Sequence, residues 1–395
     1  MMPPQIQVLV FCSIVVVVSL FCFLADTNIL QYVGSDKKQS DTSFLAYVSH
    51  MVANHSQSAA DVVEEPTVHQ KLGANNDALQ QNYKRIQHTN TTMPNRKRTA
   101  LNVTDTRDTH KSYVFYDGDH LGGLGNLMFK MATVQSVAMH SNKTPMTTKD
   151  TQLASIFDLD VASLHGNTNH SQAPLTIGEP AACKCDTTVI PRARNVTGNI
   201  TLGGFFQCHQ YFEPVCAEIR HGFTFKKHIA DAAATFLREA KRQHEQSLQV
   251  TPLLIGVHVR RGDILNARFA SLGYNTPNAT YYKHAMTYFQ QKFMNQSLLF
   301  IAVSNDVPWV EKNLTAKFPE FHINTVLAGH TAELGMAILS RCNHVIMSVG
   351  TFSWWSAWLA NGVTIYYDLW PTAGSWLETQ VTTKDYFPSH WVPMH

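Results

Sequence analysis

The chain has 395 residues, 44% hydrophobic and 15% charged, enough to build two ordinary domains around a sizeable core. Lys plus Arg total 31 against 29 for Asp plus Glu, and the net charge of +2 leaves no broad basic face for nucleic acid. Histidine is frequent, at 20 residues, yet no cluster has the spacing of a metal site.

Residues 1–7 read as a short cytoplasmic tail, and residues 8–25 as a transmembrane anchor. Met1 to Ala25 carries no charged side chain, and Val8–Ala25 is almost wholly apolar. Eighteen residues at helical rise reach about 27 Å, near the thickness of a bilayer core. A cleaved signal peptide is the alternative. Against it, the segment before the apolar run has no Lys or Arg, and cleavage after Ala25 would place Phe23 where a small residue belongs.

Ten N-x-S/T sequons lie beyond the apolar run, at Asn54, Asn90, Asn102, Asn142, Asn169, Asn195, Asn199, Asn278, Asn295 and Asn313. Their spread along the chain implies a lumenal, type II arrangement. Residues 26–110 are rich in Asn, Gln, Thr, Ser and His without an apolar period, the composition of a flexible stem. The run Arg96-Lys97-Arg98 within it reads as a solvated patch, with a processing site as the alternative.

From Ser112 onward short β-rich runs alternate with helical stretches, the pattern of an α/β protein with parallel sheets. The expected N-terminal α/β domain, 111–250, holds strand Tyr113–Tyr116, a helix over Leu127–His140, strand Asn199–Phe206 and an amphipathic helix over Lys227–Gln249. The expected C-terminal α/β domain, 251–395, holds strands Leu253–Val259, Leu298–Val303, Ile323–Leu327, Val345–Val349 and Val363–Tyr367. Its helices are Tyr281–Met294, one opening near Pro308, Ala332–Ser340 and Trp354–Leu359. Beyond the apolar run the cysteines are Cys183, Cys185, Cys208, Cys216 and Cys342, an odd number that leaves at least one unpaired within the chain. Disulfides are expected here in preference to metal, because Cys183 and Cys185 are too close for C-x-x-C spacing.

The sharpest motif is LLIGVHVRRGD, Leu253–Asp263, in which an apolar strand delivers His258, Arg260, Arg261 and Asp263 to its C-terminal edge. Guanidinium forks bind phosphate oxygens bidentately and keep their charge. Alternation sends the two arginines to opposite sides, so one is expected on phosphate and the other on Asp263 or another acid. An integrin-ligand reading of Arg-Gly-Asp is disfavoured, since the triplet follows directly on a buried strand.

Ser348–Trp355, SVGTFSWW, ends another strand with a glycine turn and the hydroxyls of Thr351 and Ser353 before a helix, the makings of an anion site. Ser304-Asn305-Asp306 ends a third strand, where a plain helix cap is the alternative. Gly122–Asn126, GGLGN, lacks the lysine of a P-loop and says only that something approaches its backbone closely. Asp117-Gly118-Asp119 and Asp158-Leu159-Asp160 have the D-x-D form that can hold Mg²⁺ or Mn²⁺. With an arginine pair available to neutralise a diphosphate, no metal is expected.

Taken together, HVRRGD, SND and CNHVIMSVGTFSWWSAWLANG resemble glycosyltransferase family 11, the galactoside α-1,2-fucosyltransferases. GGLGNLMFKMA, GGFFQCHQYF at Gly203–Phe212 and the final DYFPSHW are similar to further blocks of that family in the same order, from Tyr113 to the end. The resemblance implies a GT-B-like fold, two Rossmann-like domains facing across a cleft, with GDP-L-fucose held by the second. It implies inverting transfer to a galactose-terminated glycan, without a required metal or other cofactor.

Carried over, Arg260 would hold the phosphates with His258, Arg261 and Asp263 around it. Ser304, Asn305, Asp306, Thr351, Phe352 and Ser353 would line the nucleotide, with Gly122 and Asn126 across the cleft. The chain departs from the family where an acid usually stands seven residues before Cys342: the residue is Gly335, and Glu333 is the nearby substitute. No general base is singled out among Asp263, Glu213 and Asp306, and a dissociative path needing little base help stays open. The C-terminal Trp-Val-Pro-Met-His is no ER-retention signal, which favours a Golgi enzyme over a protein O-fucosyltransferase. A sugar-binding pseudoenzyme is the reading from another class.

Overall fold

The computed structural model describes residues 112–116, 122–148, 152–159, 161–164 and 175–395. The expected tail, anchor and stem lie outside the described residues, as do Asp117, Asp119, Asp160 and the sequons at Asn54, Asn90, Asn102 and Asn169. Among the described residues no helix is long and apolar enough to cross a membrane.

Two parallel sheets organise the chain. The first comprises β1 (Tyr113–Tyr116), β2 (Thr144–Thr148), β3 (Ala162–Leu164), β4 (Leu175–Gly178) and β5 (Ile200–Gly203), in the order β3-β2-β1-β5-β4. The second comprises β6 (Leu253–Val259), β7 (Leu298–Ser304), β8 (Ile323–Thr325), β9 (His344–Ile346), β10 (Thr364–Tyr367) and β11 (Val392–Met394), in the order β11-β10-β9-β6-β7-β8.

Strand β6 is central because its side chains are nearly all apolar on both faces. Six of its seven residues are buried, and each buried aliphatic side chain contributes roughly 1.5–3 kcal/mol. It pairs with β7 from Leu253↔Leu298 to Val259↔Ser304 and with β9 at Val257↔Ile346. The chain leaves β6 towards β7 on one side and returns to β9 on the other. The crevice at the carboxyl ends of β6 and β9 is therefore a topological switch point, where open α/β sheets receive ligands. In the first sheet the corresponding reversal lies between β1 and β5.

Five longer helices cover these sheets: α1 (Leu124–Ser141), α2 (Lys227–Leu248), α3 (Ala279–Lys292), α4 (Ala332–Leu339) and α5 (Thr351–Ala360). Helix α2 buries one line, Ile229, Ala233, Leu237, Ala240 and His244, at helical spacing. That line packs on α4 of the second sheet, although α2 precedes the boundary expected at 250. Helix α1 is buried on most sides and ends where Asn142 adopts a left-handed conformation. It packs on β1 and β2 and also on α5, which joins the two sheets into one compact unit.

The seam between α1 and α5 is aromatic. Phe129 lies 4.6 Å from Trp354 and 5.1 Å from Trp355 between ring centroids, and Phe212 stacks on Trp355 at 5.5 Å. Trp354 donates its indole N–H to Tyr386 O at 2.7 Å, which satisfies that buried donor. Arg220 closes the far end of α5, donating to the Trp358 and Leu359 carbonyls while its guanidinium lies over the Trp358 ring.

Several expected boundaries move. Helix α1 begins at Leu124 and α5 at Thr351, each three residues earlier than expected, so both glycine motifs run straight into helices. Strand β9 stops at Ile346 instead of Val349 because Ser348 N turns away from the sheet to donate to Ser353 Oγ. Cys185 and Cys208 form a disulfide, and Cys183, Cys216 and Cys342 are free thiols.

Candidate functional site

Three strand ends of the second sheet converge on the expected residues. After β6 the chain reaches Arg260, whose backbone N donates to Ser348 Oγ at 3.1 Å. Ser353, fully buried, accepts the Ser348 N–H in turn, so its hydroxyl organises the turn and does not face a ligand. Gly350, with φ 89°, allows the Arg260 guanidinium to lie against the start of α5. A β-carbon there would stand 3.1 Å from Arg260 Nη1. No side chain caps the N-terminus of α5, whose first amides carry the positive end of the helix dipole. A guanidinium beside such amides is an arrangement suited to an anion of two or more charges.

Both arginines pair with acids, where only one was expected to. Arg260 Nη2 meets Asp263 Oδ2 at 3.0 Å, because the left-handed Gly262 (φ 61°) turns the chain back onto itself. Arg261 Nε meets Asp306 Oδ2 at 3.3 Å, and its guanidinium lies 4.3 Å from the Trp309 ring centroid. The second pair is the better sheltered, with Arg261 18% exposed against 31% for Arg260. The more open guanidinium is thus Arg260. Asn305 joins the two loops, accepting from Arg261 N at 2.8 Å. Buried Ser304 accepts from Asp306 N, and Asp306 Oδ1 accepts from Trp309 N as a helix cap.

His258 points inward. Burial, then the nearby charges of Arg260 and His330, push its imidazole down to about 3, so it is neutral across the working pH range. Its ring packs on Phe352 at 4.9 Å, and Nδ1 is buried without a partner among the described residues. The neutral ring thus packs beneath the crevice against Phe352 and adds no charge there.

From the first sheet, Asn126 reaches the same place. Its Oδ1 accepts from Thr351 Oγ1 at 2.8 Å and from Gln207 Nε2 at 3.1 Å. Gly125 permits the approach, since a β-carbon would stand 2.5 Å from the Thr351 carbonyl carbon. Gly122, with φ 105°, leaves room for the Asn126 side chain itself. The GGLGN and GTFSWW motifs therefore meet, Gly125 giving the opening of α5 its room while Gly350 gives room to Arg260.

Glu333 occupies the first turn of α4, half-buried. Gly335 is buried further along the helix, and a β-carbon there would stand 2.9 Å from Val303 Cγ1 and 3.1 Å from the His330 ring. The His330 imidazole fills the space beside Gly335, held through Nδ1 at 2.8 Å from Leu327 O. Glu213 is remote in role: it pairs with His209 at 3.6 Å and is mostly exposed. Asp158 pairs with Lys226 at 3.0 Å on the surface. Among the described residues no group of three His, Cys, Asp or Glu is placed to hold a metal ion.

Ser348 and Gly350 lie within the expected SVGTFSWW anion site, and Gln207 lies in the GGFFQ block immediately after β5. Trp309 and His330 are identified only by their contacts with Arg261, His258 and Gly335.

A family profile described as Glycosyl transferase family 11 matches residues 95–394. Galactoside alpha-(1,2)-fucosyltransferase 2 of Pongo pygmaeus is 28% identical over 253 residues, 62% of this chain and 69% of that protein. Galactoside 2-alpha-L-fucosyltransferase SEC1 of Bos taurus is 26% identical over 278 residues, 69% of this chain and 71% of that protein. Galactoside alpha-(1,2)-fucosyltransferase 1 of Saimiri sciureus is 31% identical over 171 residues, 42% of this chain and 44% of its own length, so the match spans less than half of that relative. Among solved structures, an Arabidopsis thaliana FUT1 mutant in complex with GDP superposes with a TM-score of 0.44 at 12% identity, covering 85% of this chain and 82% of that one.

Proposed function

The chain belongs to glycosyl transferase family 11, and we propose that it transfers L-fucose from GDP-β-L-fucose to the 2-hydroxyl of a terminal galactoside with inversion, forming an α-1,2 linkage. The observation that carries this reading is the more open Arg260 guanidinium lying against the uncapped N-terminus of α5 at the second sheet's switch point.

As the sugar–phosphate bond breaks, negative charge grows on GDP. Fixed cationic donors stabilise that charge without having to reorganise. Asp263 holds Arg260 in place before the donor arrives, while Arg261, tied to Asp306 and Trp309, braces the loop. Neutral His258 supports the strand end from beneath without adding a charge of its own. The acceptor enters from the side of Asn126 and Gln207. The arginine pair supplies the charge that a divalent ion would otherwise provide, so the reaction needs no metal. The apolar run at 8–25 and the sequons support a Golgi, single-pass type II placement with the catalytic part in the lumen.

The test is a donor-and-acceptor screen of the full-length protein in detergent, with linkage analysis of the product. An α-1,2-fucosylated galactoside made from GDP-fucose is expected. Fucose on a protein hydroxyl instead, or GDP-fucose binding without turnover on any acceptor, would contradict the proposal.

A further inference from the structure

Glu179 follows directly on β4 at the carboxyl edge of the first sheet, and the loop after β5 wraps around its carboxylate. Oε1 accepts from Phe205 N and Phe206 N, both at 2.6 Å. Oε2 is buried and has no partner among the described residues. The loop is shaped to make these bonds. Gly204 lies at φ 147°, and a β-carbon there would stand 2.7 Å from Glu179 Oε1. Fully buried Phe206 is held left-handed at φ 52°, a strained conformation for a bulky residue.

The residue after Phe206 accounts for that strain. Gln207 is anchored through its backbone N to Ala182 O at 2.8 Å, and its Oε1 accepts from Cys183 Sγ at 3.2 Å. Its Nε2 donates to Asn126, the residue that bonds Thr351 at the opening of α5. A continuous path thus runs from Glu179 through two backbone amides to Gln207, Asn126 and Thr351.

We propose that Glu179 is a positioning residue for the transfer reaction, setting Gln207 and hence the Asn126–Thr351 contact through the Phe205–Phe206 turn. The inference rests on the function proposed above and adds a residue that the sequence motifs do not contain.

The carboxyl is also sensitive to pH in the range where the enzyme works. Burial pushes it up to about 8, against the opposing pull of the two amides and Lys130. The titratable groups facing it are Lys130 from α1, Cys183 from the turn after β4 and Tyr211 from the turn after the loop. Burial pushes the Cys183 thiol and the Tyr211 phenol up, so both stay neutral through this range. Below pH 8 Glu179 is a neutral acid whose carbonyl oxygen takes both amides. In an opened loop water reaches the carboxyl and its value returns towards 4.5, so the preference for the closed loop weakens as pH rises towards 8 and is fully lost above it.

The test uses full-length wild type, Glu179→Gln, Glu179→Ala, Gln207→Ala and the double variant Glu179→Ala/Gln207→Ala, with kcat and KM measured from pH 6 to about 9.5. Glu179→Ala and Gln207→Ala should each lower kcat about 10-fold, the equivalent of one lost hydrogen bond, with a smaller change in donor KM. Because the two residues act in series, the double variant should be little worse than either single one. Glu179→Gln should restore kcat near pH 7 and abolish the alkaline fall. Additive losses, an unchanged kcat in Glu179→Ala, or an alkaline fall retained in Glu179→Gln would overturn the proposal.

Amide exchange across residues 204–208, measured without substrate, separates this outcome from failure of the proposed activity. Protection should fall as pH rises towards 8 in wild type, level off above it, and show no such fall in Glu179→Gln; identical exchange in the two proteins would likewise overturn the proposal.

Discussion

The Thr351 hydroxyl donates to Asn126 Oδ1 at 2.8 Å across 225 residues of sequence. This single bond ties the first turn of α1 to the first turn of α5, so the two sheets share one site. Gly125 makes the contact possible, and its replacement by Ala should force α1 and α5 apart. The added methyl would overlap the Thr351–Phe352 backbone, and overpacking of this kind costs about 1–3 kcal/mol. Thermal unfolding of Gly125→Ala should show the loss, with turnover falling further than stability alone explains.

Gly335 stands where the family usually carries an acid, and the surroundings do not accept one. Val303 and the His330 ring take the space that a β-carbon would need. Gly335→Asp should therefore lower stability and leave donor affinity no better than wild type. Combining it with His330→Ala should recover part of the stability, because the second change removes one of the two obstructing side chains. A Gly335→Asp enzyme with tighter donor binding and intact stability would show that this packing argument is wrong.

His258 fixes the acid side of the stability profile. Its folded-state value of about 3 lies below the ordinary 6.5 of an unfolded histidine, so between these limits the unfolded chain binds more protons. The contribution is fully present above pH 6.5 and is lost as pH falls towards 3. In urea titrations, stability of the wild type should decline over this window. His258→Gln should flatten the decline, and an unchanged slope would mean that other groups dominate it.

The diphosphate reading of the arginine pair makes a prediction about metal. Turnover of purified enzyme should persist in excess EDTA and should not rise on adding Mn²⁺ or Mg²⁺. Complete loss with EDTA, restored by Mn²⁺, would transfer the charge-neutralising role from arginine to an ion.

Much of the second sheet is legible in the sequence because β6 and β7, near its centre, are seven residues each, mostly apolar, and run into polar groups. Strand β6 was read with its observed limits, and β7 differs by one residue. Strands β2, β3, β4 and β11 were not read, and the reason is physical. Thr144-Pro-Met-Thr-Thr has no strand period of its own, and β3 and β11 are three residues each, extended through pairing with β2 and β10. The site was legible to the same degree. Polar residues at strand ends announced Arg260, Asp306 and Thr351, whereas the acid chosen by each arginine depended on how Gly262 and Asn305 fold the loops together. Gln207 and Glu179 were harder still, since their roles depend on a left-handed Phe206 that no local rule favours.

The central claim is that Arg260 meets the charge that develops on the departing GDP. The most direct measurement compares wild type, Arg260→Lys and Arg260→Ala, with GDP affinity and kcat determined separately. Lysine keeps the charge but loses the forked geometry and the Asp263 pairing that orients it, so both variants should fold while losing about 10²–10³ in kcat, roughly 3–4 kcal/mol. GDP affinity should change less than turnover. Near-normal turnover in Arg260→Ala would contradict the account.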